Sequence, residues 1–165
     1  MKITSVSRRF AALACASISV VGVTAVNAPT AQAATSYVND MCSYSNHFSC
    51  FRLFYNSNSG GAVFVSNSSL NDYSGYSPNG ASVVRYMFGY YSTSDGKQMT
   101  PIVGGTSGEG VAVKNNAASV DNEDSAAYRV YFNSGYAGHS QYFSAHSGGN
   151  LDSTLHNQNA SQRRL

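Results

Sequence analysis

Glutamate occurs twice and lysine three times in 165 residues, and leucine is scarce, so the chain lacks the side chains that usually fill helical surfaces. Charged residues make up only 11% of it. Without a concentration of cations to collect phosphates, nucleic acid is not the expected partner. Catalytic signatures are missing too: no Gly-x-Ser-x-Gly elbow, no His-Glu-x-x-His and no glycine-rich phosphate loop organises His47, His139, His146 and His156, so the chain does not read as an enzyme. With three cysteines and no second Cys or His pair at ligand spacing, zinc is not expected either.

What is present begins with Lys2, Arg8 and Arg9, an apolar run from Phe10 to Val26, and AlaGlnAla at 31–33 before Ala34. This is the charge, apolar core and small-residue cleavage site of a secretory signal peptide, predicted over 1–33. Ser17, Ser19, Gly22 and Thr24 interrupt the apolar run, and Asn27 and Pro29 end it, which disfavours a permanent membrane helix. The expected product is secreted, extracellular and free of the membrane, and Arg8–Arg9 before Phe10 leaves the export route open. Cleavage would leave seven Lys+Arg against eight Asp+Glu, a near-neutral chain. Its length of about 130 residues suits one domain, expected to be a monomer. Cys42 and Cys50 would remain as an even pair in an oxidising compartment, which predicts a disulfide. Closing so short a loop contributes about 2 to 3 kcal/mol. It would staple the segment 34–50 to a strand beginning near Phe51.

Tyr, Val, Phe, Ser, Asn and Gly dominate the rest, a strand-and-turn composition. Strands are predicted at Phe51–Tyr55, Ala62–Val65, Ser82–Tyr91, Val111–Lys114, Tyr128–Phe132 and Ser140–Phe143, each bounded by turn residues. ArgLeuPheTyrAsnSerAsnSerGlyGly at 52–61 recurs as ArgValTyrPheAsnSerGlyTyrAlaGly at 129–138, and AsnAsnAlaAlaSer at 115–119 as AsnGlnAsnAlaSer at 157–161. The unequal offsets imply two copies of one motif, 51–122 and 128–165, the first carrying an insertion at about 72–108.

Each repeat has a physical rationale. In Tyr131, Tyr136 and Gly138 the spacing suits a hairpin folded back over its own sheet, with rings covering the turn and glycine taking a positive φ. Ser161, or Ser119 in the first copy, is placed to bond the hairpin's backbone. The pattern resembles the βγ-crystallin double Greek key: Tyr131, Tyr136, Gly138 and Ser161 match in full, and Phe54, Gly61 and Ser119 match with Ser59 in place of the second aromatic. That replacement predicts a less well covered first hairpin. The Cys pair before TyrAsnSerAsnSerGlyGly, the segment ValLysAsnAsnAlaAlaSerValAspAsn and the ending AsnAlaSerGlnArgArgLeu resemble more narrowly the actinobacterial secreted peptidase-inhibitor family. The resemblance implies an all-β, βγ-crystallin-like double Greek-key sandwich that inhibits an extracellular peptidase, specifically a metalloproteinase.

Loops longer than about 12 to 15 residues are usually functional or disordered, so the inhibitory loop is sought in the insertion. Met99, Thr100, Pro101 and Ile102 follow a turn at Asp95–Gly96 and offer apolar side chains on a stretch stiffened by proline. The βγ-crystallin resemblance carries an alternative, a calcium-binding or structural extracellular module without inhibitory activity. Asn115, Asn116 and Ser119, with Asn157 and Ser161, keep part of that family's calcium pattern, although no carboxylate lies inside it. No other cofactor is expected.

Overall fold

Two hairpins of similar sequence set the architecture. The computed structural model describes residues 33–44, 49–89 and 105–165, which lie in one unit running from Gln32 to Leu165. Residues 1–32 of the expected signal peptide, 1–33, therefore lie outside the described residues, as do 45–48 and 90–104. Among the described residues ten strands are formed: β1 (Ala34–Val38), β2 (Asp40–Met41), β3 (Phe51–Asn56), β4 (Gly60–Ser66), β5 (Ser82–Tyr86), β6 (Ser119–Asn122), β7 (Tyr128–Asn133), β8 (Ala137–Phe143), β9 (Ser147–Asn150) and β10 (Ser161–Arg164). They assemble into sheets of order β2-β4-β3-β6-β9, β10-β7-β8 and β1-β5.

Each large sheet borrows from the other motif. Strand β9 belongs to the second repeat but pairs with β6 of the first, and Leu70 of the first repeat bridges Gln162 on β10 of the second. This exchange makes the fold a βγ-crystallin-like double Greek-key sandwich. Separating the two halves would strip β9 from the edge of the five-stranded sheet and break the Leu70–Gln162 bridge beside β10.

Between the sheets lies the main core. Phe51 and Leu53 on β3 and Phe64 on β4 face Tyr128 and Val130 on β7 and Phe143 on β8. The Phe51 ring stacks on Tyr128 at 4.3 Å and meets Phe143 edge-on at 6.4 Å. Burying a ring of this size contributes about 2 to 3 kcal/mol. The opposite face of β3 and β4 is buried as well: Phe54, Val63 and Val65 pack with Cys50 and Cys42 in a second, smaller core. The expected disulfide is present, Cys42 to Cys50, and β2 runs parallel to β4 beside it.

That second core corrects one expectation. Although Ser59 replaces an aromatic, Phe54 is fully buried, because the N-terminal segment covers it in place of a ring. Two strand assignments also change. Strand β5 ends at Tyr86, after which Met87 and Gly89 make single bridges, and of the stretch 111–114 only Ala112 is bridged, to Met87. Here the chain serves the stem of the insertion. The strands β1, β2, β6, β9 and β10 were not foreseen, being short, polar or glycine-rich.

An ionic network ties the chain end to the core. The fully buried Asp124 accepts hydrogen bonds from Arg164 Nε at 2.9 Å, Arg164 Nη2 at 3.0 Å, the Tyr128 hydroxyl at 2.7 Å and the Ala126 N–H at 3.2 Å. Burial alone raises this carboxyl, and the hydrogen bonds from Arg164, Tyr128 and Ala126 more than offset it, bringing the pKa to about 2.

Candidate functional site

Within the insertion, Gly89 and Ser107 are both held by one strand, β4. Gly89 and Val63 exchange backbone hydrogen bonds of 3.0 and 3.1 Å, and the neighbouring Ala62 N–H donates to the Ser107 carbonyl at 2.7 Å. Flanking these anchors, Phe88 N–H donates to Val111 O at 2.8 Å and Gly110 N–H to Phe88 O at 2.9 Å, forming a short antiparallel stem. Gly108 is required there: with φ of 88°, its Cβ would stand 2.1 Å from Cγ of the Tyr55 ring. Gly89 and Ser107 thus meet adjacent residues of β4. Met99, Thr100, Pro101 and Ile102 lie outside the described residues. Beside the stem opens a cleft of about 630 Å³, lined in part by Tyr37, Asn39, Met87, Gly89 and Glu109. Tyr37 and Asn39 come from the N-terminal segment, which sequence reading treated only as the partner of the disulfide.

The two hairpins have the same internal chemistry. Ser119 Oγ donates to the Asn56 carbonyl at 2.6 Å and accepts from Ser59 N–H at 3.0 Å, and Ser161 Oγ donates to the Asn133 carbonyl at 2.7 Å and accepts from Tyr136 N–H at 3.2 Å. Ser59 and Tyr136 both sit at positive φ, followed by Gly61 and Gly138 at 77° and 79°. Phe54 is sealed under the second core, and the Tyr131 and Tyr136 rings meet at 6.0 Å.

Asn115 and Asn157 come together with Lys114, Asn133, Ser134 and Gln158 around a polar pocket of about 350 Å³. Calcium does not fit these residues. Ser119 and Ser161 are committed to their hairpins, Asn116 Nδ2 is turned to the carbonyls of Ala112 and Lys114, and the pocket is lined by amides and a lysine. The Lys114 ammonium lies 2.9 Å from Ser134 Oγ and 3.0 Å from Asp72 Oδ1, supplying a positive charge of its own. Burial raises the Asp72 carboxyl, but hydrogen bonds from Ser74 and Lys114 prevail and hold it at about 2. Millimolar calcium is accordingly expected to leave the melting temperature unchanged within about 1 °C, since a ligand shifts stability only by binding the native state. A rise of several degrees in a calorimetric titration would reverse this assignment. Lys114 and Asp72 carry no joint signal in sequence, being 42 residues apart.

Elsewhere, His139 Nε2 lies 2.7 Å from Asp152 Oδ2, and this hydrogen bond is the main cause of a lowered Asp152 pKa. Asp152 also accepts from the N–H groups of Thr154 and Leu155, so the pair caps a turn.

No protein-family model and no curated protein matches the chain. Solved structures do. A structure described as the evolution of the eye lens βγ-crystallin domain fold matches with 10% identity and a TM-score of 0.45, over 71% of this chain and 85% of that one. A βγ-crystallin from an archaeon matches with 14% identity and a TM-score of 0.41, over 70% and 96%. The N-terminal domain of protein S matches with 16% identity and a TM-score of 0.39, over 70% and 94%. The fold assignment rests on the strand exchange itself.

Proposed function

We propose that the chain is a secreted proteinaceous inhibitor of an extracellular peptidase, most specifically a metalloproteinase, acting through the loop that contains Met99, Thr100, Pro101 and Ile102. The observation that carries this reading is the clamping of Gly89 and Ser107, which flank residues 90–104 within the insertion, to adjacent residues of β4, through Gly89–Val63 and Ser107–Ala62. An inhibitory loop gains affinity when its base is immobilised beforehand, because less conformational freedom is lost on binding. The surrounding sandwich, buried on both faces of β3 and β4, supplies such a base. The Cys42–Cys50 disulfide supports export, since such bonds persist in oxidising compartments.

The test is titration of a panel of extracellular peptidases, led by a thermolysin-like zinc endopeptidase, with the secreted chain. Peptidase activity is expected to fall linearly to near zero at equimolar inhibitor. Met99→Asp and Ile102→Asp are each expected to weaken inhibition about 30-fold, the effect of losing an apolar anchor worth about 2 kcal/mol. Full inhibition by both variants would refute the loop. Absence of inhibition across the panel would refute the function.

A further inference from the structure

The two motifs differ at one cross-strand pair. In the first, Arg52 on β3 stands opposite Asp121 on β6, its Nη1 3.0 Å from Asp121 Oδ2, and the pair lies on the face that the N-terminal segment covers. In the second, Arg129 holds the position of Arg52, 77 residues later, and the position of Asp121 is taken, 42 residues later, by Arg163. An arginine has replaced the carboxylate. Like charges directly opposite on neighbouring strands destabilise a sheet. Neither guanidinium has a carboxylate partner among the described residues, whose ion pairs involve Arg52, Lys114, His139 and Arg164.

This second pair is on the open face of its sheet. Tyr128, Val130 and Phe143 point into the core, which turns Arg129, Arg163 and Tyr142 outward as one row across three strands. Arg129 rests 5.5 Å from the centre of the Tyr142 ring, Arg163 lies 6.0 Å from that of Tyr136, and Tyr142 is 51% exposed. Among the described residues no chain segment covers this row as the disulfide segment covers its counterpart.

We infer that Arg129, Arg163 and Tyr142 form a binding site for a linear carboxylated polysaccharide, whose carboxylate occupies the place that Asp121 holds in the first motif. The paired guanidinium forks match a carboxylate in geometry and charge, and the exposed tyrosine offers a flat face to the C–H side of a sugar ring. Size favours a thin polymer. Three strands about 4.8 Å apart and four residues about 3.3 Å apart present roughly 200 Å², against about 800 Å² per partner in a stable interface between folded proteins. The inference is independent of peptidase inhibition.

Affinity electrophoresis of the secreted chain in gels containing polygalacturonate, dextran or polyglutamate tests it, each variant being referred to its own mobility without polymer. Wild type is expected to be retarded by polygalacturonate and not by dextran, and increasing salt should reverse the retardation. Arg129→Gln and Arg163→Gln should each weaken binding about tenfold, the loss of one charge-assisted contact. Arg163→Asp, which recreates the internal pair of the first motif, should abolish binding while raising the melting temperature by about 2 °C. Equal retardation by dextran, undiminished retardation of the Arg163→Asp and Arg129→Gln variants, or retardation by polyglutamate as strong as by polygalacturonate would each overturn the proposal.

Discussion

Replacing Cys42 and Cys50 by serine is expected to lower the melting temperature by about 10 to 15 °C. Two effects add. The bond spans a sequence separation of 8, and releasing it returns about 2 to 3 kcal/mol of chain entropy to the unfolded state. Its sulfur atoms also belong to the second core, where Cys50 is fully buried against Phe54, Val63 and Val65. Loosening the segment 34–44 would expose that face of β3 and β4 and leave Phe54 with no ring to cover it, since Ser59 stands where the second hairpin has Tyr136. The measurement is thermal unfolding of the double variant and of wild type with and without reductant, together with binding of a hydrophobic dye. An unchanged melting temperature after verified reduction would show that the inner core alone sustains the fold.

Asp124→Ala should cost about 3 kcal/mol and alter the acid limb of the stability curve. The carboxylate accepts from Arg164, from the Tyr128 hydroxyl and from Ala126 N–H, so its removal strands a buried hydroxyl and frees the strand that ends the chain. Arg164 keeps partial access to water, which limits the loss. The folded pKa of Asp124, about 2, lies below the ordinary 3.8, as does that of Asp72. A depressed carboxyl stabilises the native state above its unfolded pKa, and this contribution disappears as pH falls through the folded value. Wild type is therefore expected to lose stability between about pH 4 and pH 2, and Asp124→Ala to lose less over that window. Urea unfolding at a series of pH values measures the slope, and parallel curves for the two proteins would count against the assigned role.

Much of the hairpin chemistry was legible in the chain. The spacing of Tyr131, Tyr136, Gly138 and Ser161 depends on atoms within a few residues, apart from one returning serine, and duplication marked that serine. Strands β3, β4 and β7 announced themselves by apolar residues, because the faces they bury need them. By contrast, β9 and β10 read SerGlyGlyAsn and SerGlnArgArg and were invisible. Their place is decided by the partners that accept them, Ser119–Asn122 for the first and Tyr128–Tyr131 for the second. The same limit applied to the candidate sites. The loop at 99–102 was reached through composition, whereas the clamp at Val63 and Ala62 joins residues far apart in the chain.

The sequence by itself determined an all-β chain with a duplicated folded hairpin and a cysteine pair suited to closure, because composition and short-range spacing act within a few residues. Only the tertiary structure decided that β9 of the second motif joins the sheet of the first, that Phe54 is covered by a disulfide segment, and that Lys114 brings an ammonium to the asparagine pocket. It also decided that Arg129 faces Arg163 where Arg52 faces Asp121. Each of these is a meeting of residues distant in sequence, and such pairs are chosen by register and burial, which no local pattern encodes.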